Sequence, residues 1–198
     1  SDPAVATPYH RSKILAERAA WRVAKETYED YPAVELSVLN PVLVMGPVLG
    51  EQKGTSVEFL QMLFSPERLP LVPDLRYHLV DVRDVAAAHV IAMTKAEAKD
   101  QRFLMSATPM SVPMMNMTAA LQPIFGPFGY QISTSPTPYA LFYVFSFFNQ
   151  EVKESFPRWG RFSQLDATKV SRVLDLQYRP WEQTLSEMAH SLIESELL

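Results

Sequence analysis

The segment from Glu35 to Met45 is the feature that most restricts how this chain can fold. Its sequence, ELSVLNPVLVM, is almost continuously aliphatic and β-branched, and it is bounded by Pro32 upstream and Gly46-Pro47 downstream. Such a run is typical of a strand that is buried on both faces of a parallel sheet. Because proline cannot donate to a strand ladder, Asn40-Pro41 predicts that the paired strand ends near Asn40. The chain beyond it would leave the carboxyl edge of the sheet, where open α/β proteins bind ligands.

Helical segments flank this strand, and the order of elements indicates an α/β fold that turns into an α-rich lobe. The first helix is predicted from Tyr9 to about Asp30, because this segment is rich in Ala, Glu, Arg and Lys and lacks proline and glycine. Asp84 is predicted to cap a helix that begins at Val85, and the apolar segment 139–156 is predicted to form a single helix. The other expected elements are strands at 77–82 and 102–106 and helices at 55–64, 112–125, 166–174 and 181–197.

Composition restricts the partners of this 198-residue chain. A formal charge of −4 offers no basic surface to nucleic acid, and the absence of cysteine excludes a disulfide framework and a thiolate metal site. The four histidines are scattered, so no metal site is expected. The longest apolar stretch, 139–148, is about half of what a membrane span needs, and no leader peptide is recognised. We therefore expect a cytoplasmic location and no membrane partner.

Glycine is scarce, and its positions exclude the usual phosphate-binding loops. The six glycines lie at 46, 50, 54, 126, 129 and 160. No spacing among them matches GxGxxG or GxxxxGK(S/T), so this chain is not expected to cradle a phosphate in a glycine-rich loop.

Tyr9 and Lys13 are the residues whose spacing suggests chemistry. They are four positions apart in a predicted helix, and therefore share one face. A tyrosine hydroxyl is a weak acid near neutral pH, and a neighbouring ammonium favours its phenolate, so such a pair can exchange a proton with a substrate oxygen. From spacing alone, however, an ordinary pair on a solvated helix face is the simpler interpretation.

Four sequence blocks change that interpretation. They are YHRSKILAE at 9–17, NPVLVMGP at 40–47, HLVDVRDVAAAH at 78–89, and DATKV at 166–170 with YRP at 178–180. In order and spacing they resemble the YxxSKxxAE, NPxxVxGP, FVDVRDVAxAH and C-terminal blocks of the extended short-chain dehydrogenase/reductases. The resemblance extends over nearly the whole chain and is strongest to the dihydroflavonol reductase and cinnamoyl-CoA reductase branch of that epimerase/dehydratase superfamily.

The resemblance implies roles for particular residues in an NAD(P)-dependent reductase of aldehydes or ketones. Tyr9 would be the general acid that protonates the carbonyl oxygen during hydride transfer. Lys13 would hydrogen-bond the nicotinamide ribose and favour ionisation of Tyr9. Asn40, Pro41 and Leu43 would lie along the nicotinamide. The branch favours NADP over NAD, although no residue here decides between them.

Two further assignments compete with structural interpretations. Thr55 and Ser56 lie where the family often places a hydroxyl near the cofactor phosphates, and helix capping is an equal alternative. Tyr139 and Tyr143 could line a substrate pocket, although core packing is the default for aromatic residues at helical spacing. Asp84 and its neighbour Arg83 are interpreted as structural, the first as a helix cap and the second as a partner for a carboxylate.

The resemblance also implies an incomplete site. In the family, the first strands of the sheet, the glycine-rich loop and the catalytic serine all precede the YxxxK block. The chain is therefore expected to form the C-terminal portion of a Rossmann-type, doubly wound parallel sheet together with an α-rich substrate lobe. Residues 1–107 would be the remnant of the dinucleotide-binding domain, with a substrate-side insertion at about 48–76, and residues 108–198 would be the lobe.

Such a chain would expose unpaired strand edges and an apolar face. We therefore expect it to be inactive by itself, and to self-associate or pair with the missing N-terminal half. Two alternatives remain open at this point. One is a nucleotide-sugar epimerase or dehydratase, or a hydroxysteroid-type dehydrogenase, built from the same blocks. The other is a non-catalytic fragment or binding module.

Overall fold

The computed structural model of the chain describes residues 8–26, 34–50 and 54–198. Helices and short strands alternate in the first half, and helices dominate the second. The helices are α1 (Pro8–Lys25), α2 (Thr55–Leu63), α3 (Val82–Thr94), α4 (Met114–Phe125), α5 (Tyr139–Phe145), α6 (Gln150–Ser155), α7 (Thr168–Leu174) and α8 (Trp181–Glu194). The strands are β1 (Val38–Pro41), β2 (Leu43–Met45), β3 (Arg76–Tyr77), β4 (Leu79–Asp81), β5 (Arg102–Met105) and β6 (Val112–Pro113).

The predicted central strand is present, but the chain does not leave the sheet after it. β1 pairs in parallel with β5 as far as Pro41, and β2 then pairs in parallel with β4. Pro41 removes only one donor, because the next amide, Val42 N, donates to Met105 O at 3.1 Å, and Leu43 N donates to His78 O at 3.2 Å. β1 therefore ends within one residue of the predicted position, but the expectation that the chain then leaves the sheet was wrong, because it passes to another partner strand across the proline.

Two apolar clusters hold the described part of the chain together. The larger one combines the buried faces of α2, α4 and α8 with Met45 and Leu79 from the parallel strands. The smaller one lies between β5, α3 and α7, with Phe103 and Leu174 among its buried members. Each cluster draws on residues from both halves of the chain, so the strands and the helices of the second half share their cores.

The start of α3 differs from the prediction. Asp81 is its N-cap and accepts a hydrogen bond from Arg83 N at 2.8 Å, so the helix begins at Val82 rather than at Val85. Asp84 lies in the first turn and is buried. The sequence DVRD offers two aspartates three positions apart, and spacing alone does not reveal which carboxylate turns back onto the backbone.

The apolar segment 139–156 forms two helices and a 3-10 turn instead of one helix. α5 ends at Phe145, and Ser146 Oγ donates to Tyr143 O at 2.6 Å. Asn149 Oδ1 accepts from Val152 N at 3.1 Å and so caps α6. These two polar side chains compete for backbone groups, which favours a break. At the other end of the chain, α1 ends at Lys25, whereas its predicted end at Asp30 lies outside the described residues.

Candidate functional site

Tyr9 and Lys13 lie together in the first turns of α1, on one face as predicted. The Lys13 Nζ lies 5.5 Å from the centroid of the Tyr9 ring, which is cation–π geometry. The Tyr9 side chain is 66% exposed, and its ring also meets His10 edge-on at 5.7 Å between centroids. The pair is therefore accessible to a ligand from solvent.

The direction of α1 follows from two contacts near the amino ends of the parallel strands. Glu17 Oε1 accepts from Arg102 Nε at 2.6 Å, and Arg102 is the first residue of β5. Further along the helix, Trp21 and Lys25 line a cavity together with Val34, which precedes β1. α1 thus runs antiparallel to the strands.

Tyr9 consequently lies on the side of Glu17 that is away from the amino ends of the strands. Eight helical residues separate it from Glu17, which corresponds to about 12 Å at roughly 1.5 Å per residue. The strand from Val38 to Pro41 spans about 10 Å at roughly 3.3 Å per residue. The part of α1 that carries Tyr9 therefore extends in the direction of the carboxyl ends of the strands, where Asn40 and Pro41 lie.

Asn40 contributes a free donor at this end of the strand. Its side-chain Nδ2 is buried and has no hydrogen-bond partner among the described residues. A buried donor without a partner costs about 1–3 kcal/mol, so such a group calls for an explanation. Leu43, by contrast, packs partly buried against the larger apolar cluster. An unpartnered amide donor at the end of β1 fits the carboxamide that the resemblance implies for this position.

Ser56 is fixed against the second parallel strand. Its Oγ donates to Val44 O at 2.6 Å, which ties the start of α2 to β2. The N-cap of α2 is Gly54, with no side-chain capping bond, so neither Ser56 nor the exposed Thr55 is the capping residue. The proton of Ser56 is engaged, while its oxygen lone pairs remain able to accept.

A buried carboxylate network joins the carboxyl end of β4 to α8. Arg83 donates to both oxygens of Asp81, from Nε at 2.9 Å and Nη2 at 2.7 Å, and Thr184 Oγ1 donates to Asp81 Oδ2 at 2.8 Å. Arg83 also pairs with Glu187 at 2.5 Å. Burial by itself would raise the pKa of Asp81, but the hydrogen bonds from Arg83 and Thr184 outweigh it and hold the pKa below its ordinary value.

Asp84 makes a second link to the same part of the chain. Its carboxylate accepts from Arg179 N at 2.8 Å and from the Arg179 guanidinium. The structural interpretation of Arg83 is thus confirmed, whereas Asp84 holds Arg179 instead of capping a helix. Sequence reasoning missed Thr184, for which there was no signal, and Arg179, which the YRP block could have marked.

Gly46 allows the end of β2 to approach α3 closely. Its φ is +129°, and a Cβ placed there would lie 2.9 Å from Val82 Cγ1 and 3.3 Å from Asp81 Oδ1. Its amide donates to Met188 Sδ of α8 at 3.4 Å. Only glycine meets these conditions without strain, so the last part of the NPVLVMGP block is held between α3 and α8.

The predicted pocket residues Tyr139 and Tyr143 pack against other aromatic rings. The Tyr139 ring lies 5.7 Å from that of Trp159, and the Tyr143 ring lies 5.6 Å from that of Phe156. A nearby cavity of about 320 Å³, here called the lobe cavity, is lined instead by Leu141, Phe142 and Phe145 of α5, together with residues of 62–77, Met114 and part of α6. Tyr139 and Tyr143 are not among the residues that line it.

Two other site classes receive no support from the described residues. Within residues 8–26, 34–50 and 54–198, no group of three or more His, Asp or Glu side chains is arranged to hold a metal ion. Among the helices that the structure describes, none combines the length and the apolar character needed to cross a bilayer.

Comparison with known proteins identifies relatives of this chain, although no protein-family profile matches it. The NADPH-dependent methylglyoxal reductase of Saccharomyces cerevisiae is 38% identical over 111 residues, which is 54% of this chain and 32% of that protein. Cinnamoyl-CoA reductase 2 of Arabidopsis thaliana is 30% identical over 187 residues, which is 94% of this chain and 48% of that protein. The chain thus spans about a third to a half of the length of these relatives.

Solved structures give the same result for the fold. The crystal structure of yeast methylglyoxal/isovaleraldehyde reductase complexed with NADPH superposes with a TM-score of 0.67 at 26% identity, over 93% of this chain and 54% of that one. Vestitone reductase from alfalfa superposes with a TM-score of 0.69 at 21% identity, which supports the fold alone. The Rossmann-type α/β prediction is confirmed. Both its sequence blocks and its fold make this chain a relative of the NADPH-dependent reductases of the extended short-chain dehydrogenase/reductase family.

Proposed function

We propose that this chain supplies the nicotinamide side of an NADPH-dependent reductase of aldehydes or ketones. The observation that carries the proposal is the pairing of Lys13 with Tyr9, at a distance of 5.5 Å from Nζ to the ring centroid, at the exposed end of α1. The relatives named for NADPH-dependent carbonyl reduction support both the reaction and the choice of NADPH over NAD.

The described residues fit the roles that such a reaction needs. Bound NADPH supplies a hydride to the carbonyl carbon. As negative charge develops on the carbonyl oxygen, the Tyr9 hydroxyl donates its proton there, and the product is an alcohol. The Lys13 ammonium stabilises the phenolate that remains. The unpartnered Asn40 amide is available to a carbonyl oxygen of the nicotinamide carboxamide, and Leu43 provides an apolar wall beside it.

A partner completes the site in this proposal. α1 buries none of its side chains, and Leu15 and Val23 are each 49% exposed. Apolar side chains on an uncovered helix favour association. We propose that this face binds either a second copy of the chain or a polypeptide that supplies the glycine-rich half, and that the chain alone is a non-catalytic fragment. Neither the sugar-nucleotide nor the hydroxysteroid alternative is favoured by an observation of this structure.

Sedimentation velocity tests the proposed association. We expect a species heavier than the 22.4 kDa of one chain, and we expect Leu15→Glu to shift the population toward the monomer because a charge then lies in the contact. The matched control is Val90→Glu, an exposed apolar residue on α3. A sharp monomer peak for the unmodified chain across a wide concentration range would contradict this part of the proposal.

Four finer assignments belong to the same proposal. The boundary between a dinucleotide-binding remnant at 1–107, with an insertion at about 48–76, and a substrate lobe at 108–198 can be tested by limited proteolysis. A cytoplasmic location can be tested by cell fractionation. Ser56 is kept as a cofactor contact through its oxygen lone pairs, and Tyr139 and Tyr143 as contacts to the substrate.

Equilibrium titration with NADPH tests the role of Lys13 in the completed assembly. Lys13→Met keeps most of the length of the side chain and removes the ammonium, so we expect NADPH affinity to fall by about tenfold, the loss of one charge-assisted hydrogen bond. Lys25→Met, at the other end of α1, is the matched control and should bind NADPH normally. Equal affinities for the two variants would remove Lys13 from the cofactor site.

A further inference from the structure

The lobe cavity carries an inference that does not depend on the reductase proposal. Its volume of about 320 Å³ lies at the low end of the range of roughly 300–1,000 Å³ found for small-molecule sites. Its buried members are Leu69, Pro73, Leu75, Met114 and Phe142, whereas Leu141 and Phe145 are partly exposed at its opening. A recess with this lining favours the apolar part of a small ligand.

The walls of the cavity are held in place by backbone hydrogen bonds and ring contacts. Val72 N donates to Ser135 O at 2.8 Å, and Thr137 N donates to Val72 O at 2.9 Å, so segments 68–75 and 133–137 are tied together. The Phe142 ring packs at 4.6 Å from that of Trp159. The cavity is therefore preformed, which reduces the entropy that binding would cost.

Arg68 gives the cavity its charge. It is the single charged side chain among the described residues of the lining, which include no Asp, Glu, Lys or His. Its guanidinium makes no hydrogen bond or ion pair with any side chain in the described ranges, and the residue is exposed at the surface. An apolar recess with one unpaired cation at its margin is complementary to a molecule with an apolar body and an anionic end.

We propose that the lobe cavity binds an elongated apolar molecule that carries a single anionic group, with medium-chain alkyl carboxylates as the simplest members of the class. The alkyl chain lies against Leu69, Met114 and Phe142, and the carboxylate pairs with Arg68. The site discriminates by charge: an alcohol of the same length loses the ion pair, and an amine of that length is repelled.

Isothermal titration calorimetry of the full chain with decanoate, decanol and decylamine tests this proposal. Each ligand is kept below the concentration at which it forms micelles or separates from water. We expect decanoate to bind more tightly than decanol by about two- to fivefold, the range of an exposed ion pair, and decylamine to bind most weakly. Equal affinities for decanoate and decylamine would overturn the proposal.

Substitutions of Arg68 test whether its guanidinium is the cation that pairs with the carboxylate of the ligand. Arg68→Gln removes the charge and keeps a polar side chain, so the preference for decanoate over decanol should disappear while decanol binding is unchanged. Arg68→Lys should retain the preference. Arg161→Gln, which removes an exposed arginine outside the lining, should behave as the unmodified chain does. A preference that survives Arg68→Gln, or that is lost in Arg161→Gln, would overturn the assignment.

Substitutions of apolar residues locate the alkyl chain. Leu141→Trp fills the opening of the cavity from an exposed position and should weaken all ligands, with thermal unfolding measured to establish that the variant is folded. Phe148→Ser removes a ring that is 84% exposed and does not line the cavity. It should have no effect. Binding that is lost in Phe148→Ser and kept in folded Leu141→Trp would place the ligand on the open aromatic surface and overturn the proposal.

Discussion

α1 and α8 are helices of comparable length with very different environments. α8 has 14 residues and buries Leu185, Met188, Ala189 and Leu192 in the larger apolar cluster, and it also buries Thr184. α1 has 18 residues and buries none. An amphipathic helix takes most of its stability from the surface that covers its apolar face. The described part of the chain provides that surface for α8 and not for α1.

This difference affects the proposed reaction, because α1 carries the proposed proton donor, Tyr9, and Lys13 beside it. A proton donor must be held within a fraction of an ångström of its productive position. A helix fixed to the described residues mainly through the ion pair of Glu17 with Arg102 does not meet that requirement. The comparison therefore locates the stable part of the molecule around α8, and under the proposed function a partner fixes Tyr9 and Lys13 in place.

Truncation of one leucine in each helix should give the largest contrast. Leu185 is fully buried, so Leu185→Ala should lower the free energy of unfolding by about 2–5 kcal/mol. Leu15→Ala in α1 should change it by less than about 0.5 kcal/mol, as expected for a surface position. Urea unfolding at low protein concentration measures both. Similar losses of unfolding free energy for the two variants would show that α1 is covered, and would contradict the difference between α1 and α8.

Removal of the Asp81 charge should come next in size. Asp81→Asn should cost about 3 kcal/mol, the low end for breaking a buried ion pair, because Arg83 keeps its pairing with Glu187. Asp74→Asn is the control: Asp74 pairs with Arg76 at 3.3 Å near the surface, and its loss should cost less than about 1 kcal/mol. If the two substitutions cost the same, the network does not fix α8 to the strands.

The pH dependence of the free energy of unfolding should report on the same network. The pKa of Asp81 in the folded chain lies below the ordinary value of 3.8. Its contribution to stability is therefore complete above about pH 4 and is lost as the pH falls through the lowered folded-state pKa. The stability difference between the unmodified chain and Asp81→Asn should narrow on acidification from about pH 7 to about pH 2. A difference that stays constant over that range would contradict the lowered pKa.

The smallest effect should be found at the contact of α1 with β5. A double-mutant cycle of Glu17→Gln and Arg102→Gln should give a coupling free energy of about 0.2–1 kcal/mol, because Arg102 is largely exposed. Burial by itself would raise the pKa of Glu17, but hydrogen bonds from Arg102 and Trp21 lower it overall. A coupling well above that range would mean that α1 is anchored more firmly than its exposure indicates.

The sequence predicted the order of elements and the pairing of Tyr9 with Lys13, because both depend on local periodicity and on spacing within one helix. It also predicted the parallel strand from the apolar run around Asn40, but the expectation that both faces of this strand are buried was wrong, because Val38, Leu39 and Asn40 are only partly buried and Pro41 is exposed. These features follow from side-chain type along a few consecutive turns, and the similarity to reductases of known fold confirms the resulting architecture.

What the sequence did not predict depends on contacts between distant segments. The sequence predicted Asp84 as the helix cap, whereas Asp81 caps the helix and Asp84 binds Arg179, a residue 95 positions away. Pairing resumes in β2 after Pro41 because His78, in another segment, accepts a hydrogen bond from Leu43 N. The face of α5 that lines a cavity likewise depends on helices that pack against it. Pairwise contacts of this kind are not encoded in local periodicity.

The most direct test of the central claim is the steady-state reduction of methylglyoxal with NADPH by the protein in its natural assembly, with Tyr9→Phe compared to Tyr130→Phe. Tyr130 packs in the larger cluster and has no proposed role in the reaction. The account predicts that Tyr9→Phe lowers kcat by about 100-fold or more, the contribution of a general acid, whereas Tyr130→Phe keeps the activity of the unmodified protein. A Tyr9→Phe kcat equal to that of the unmodified protein would contradict it.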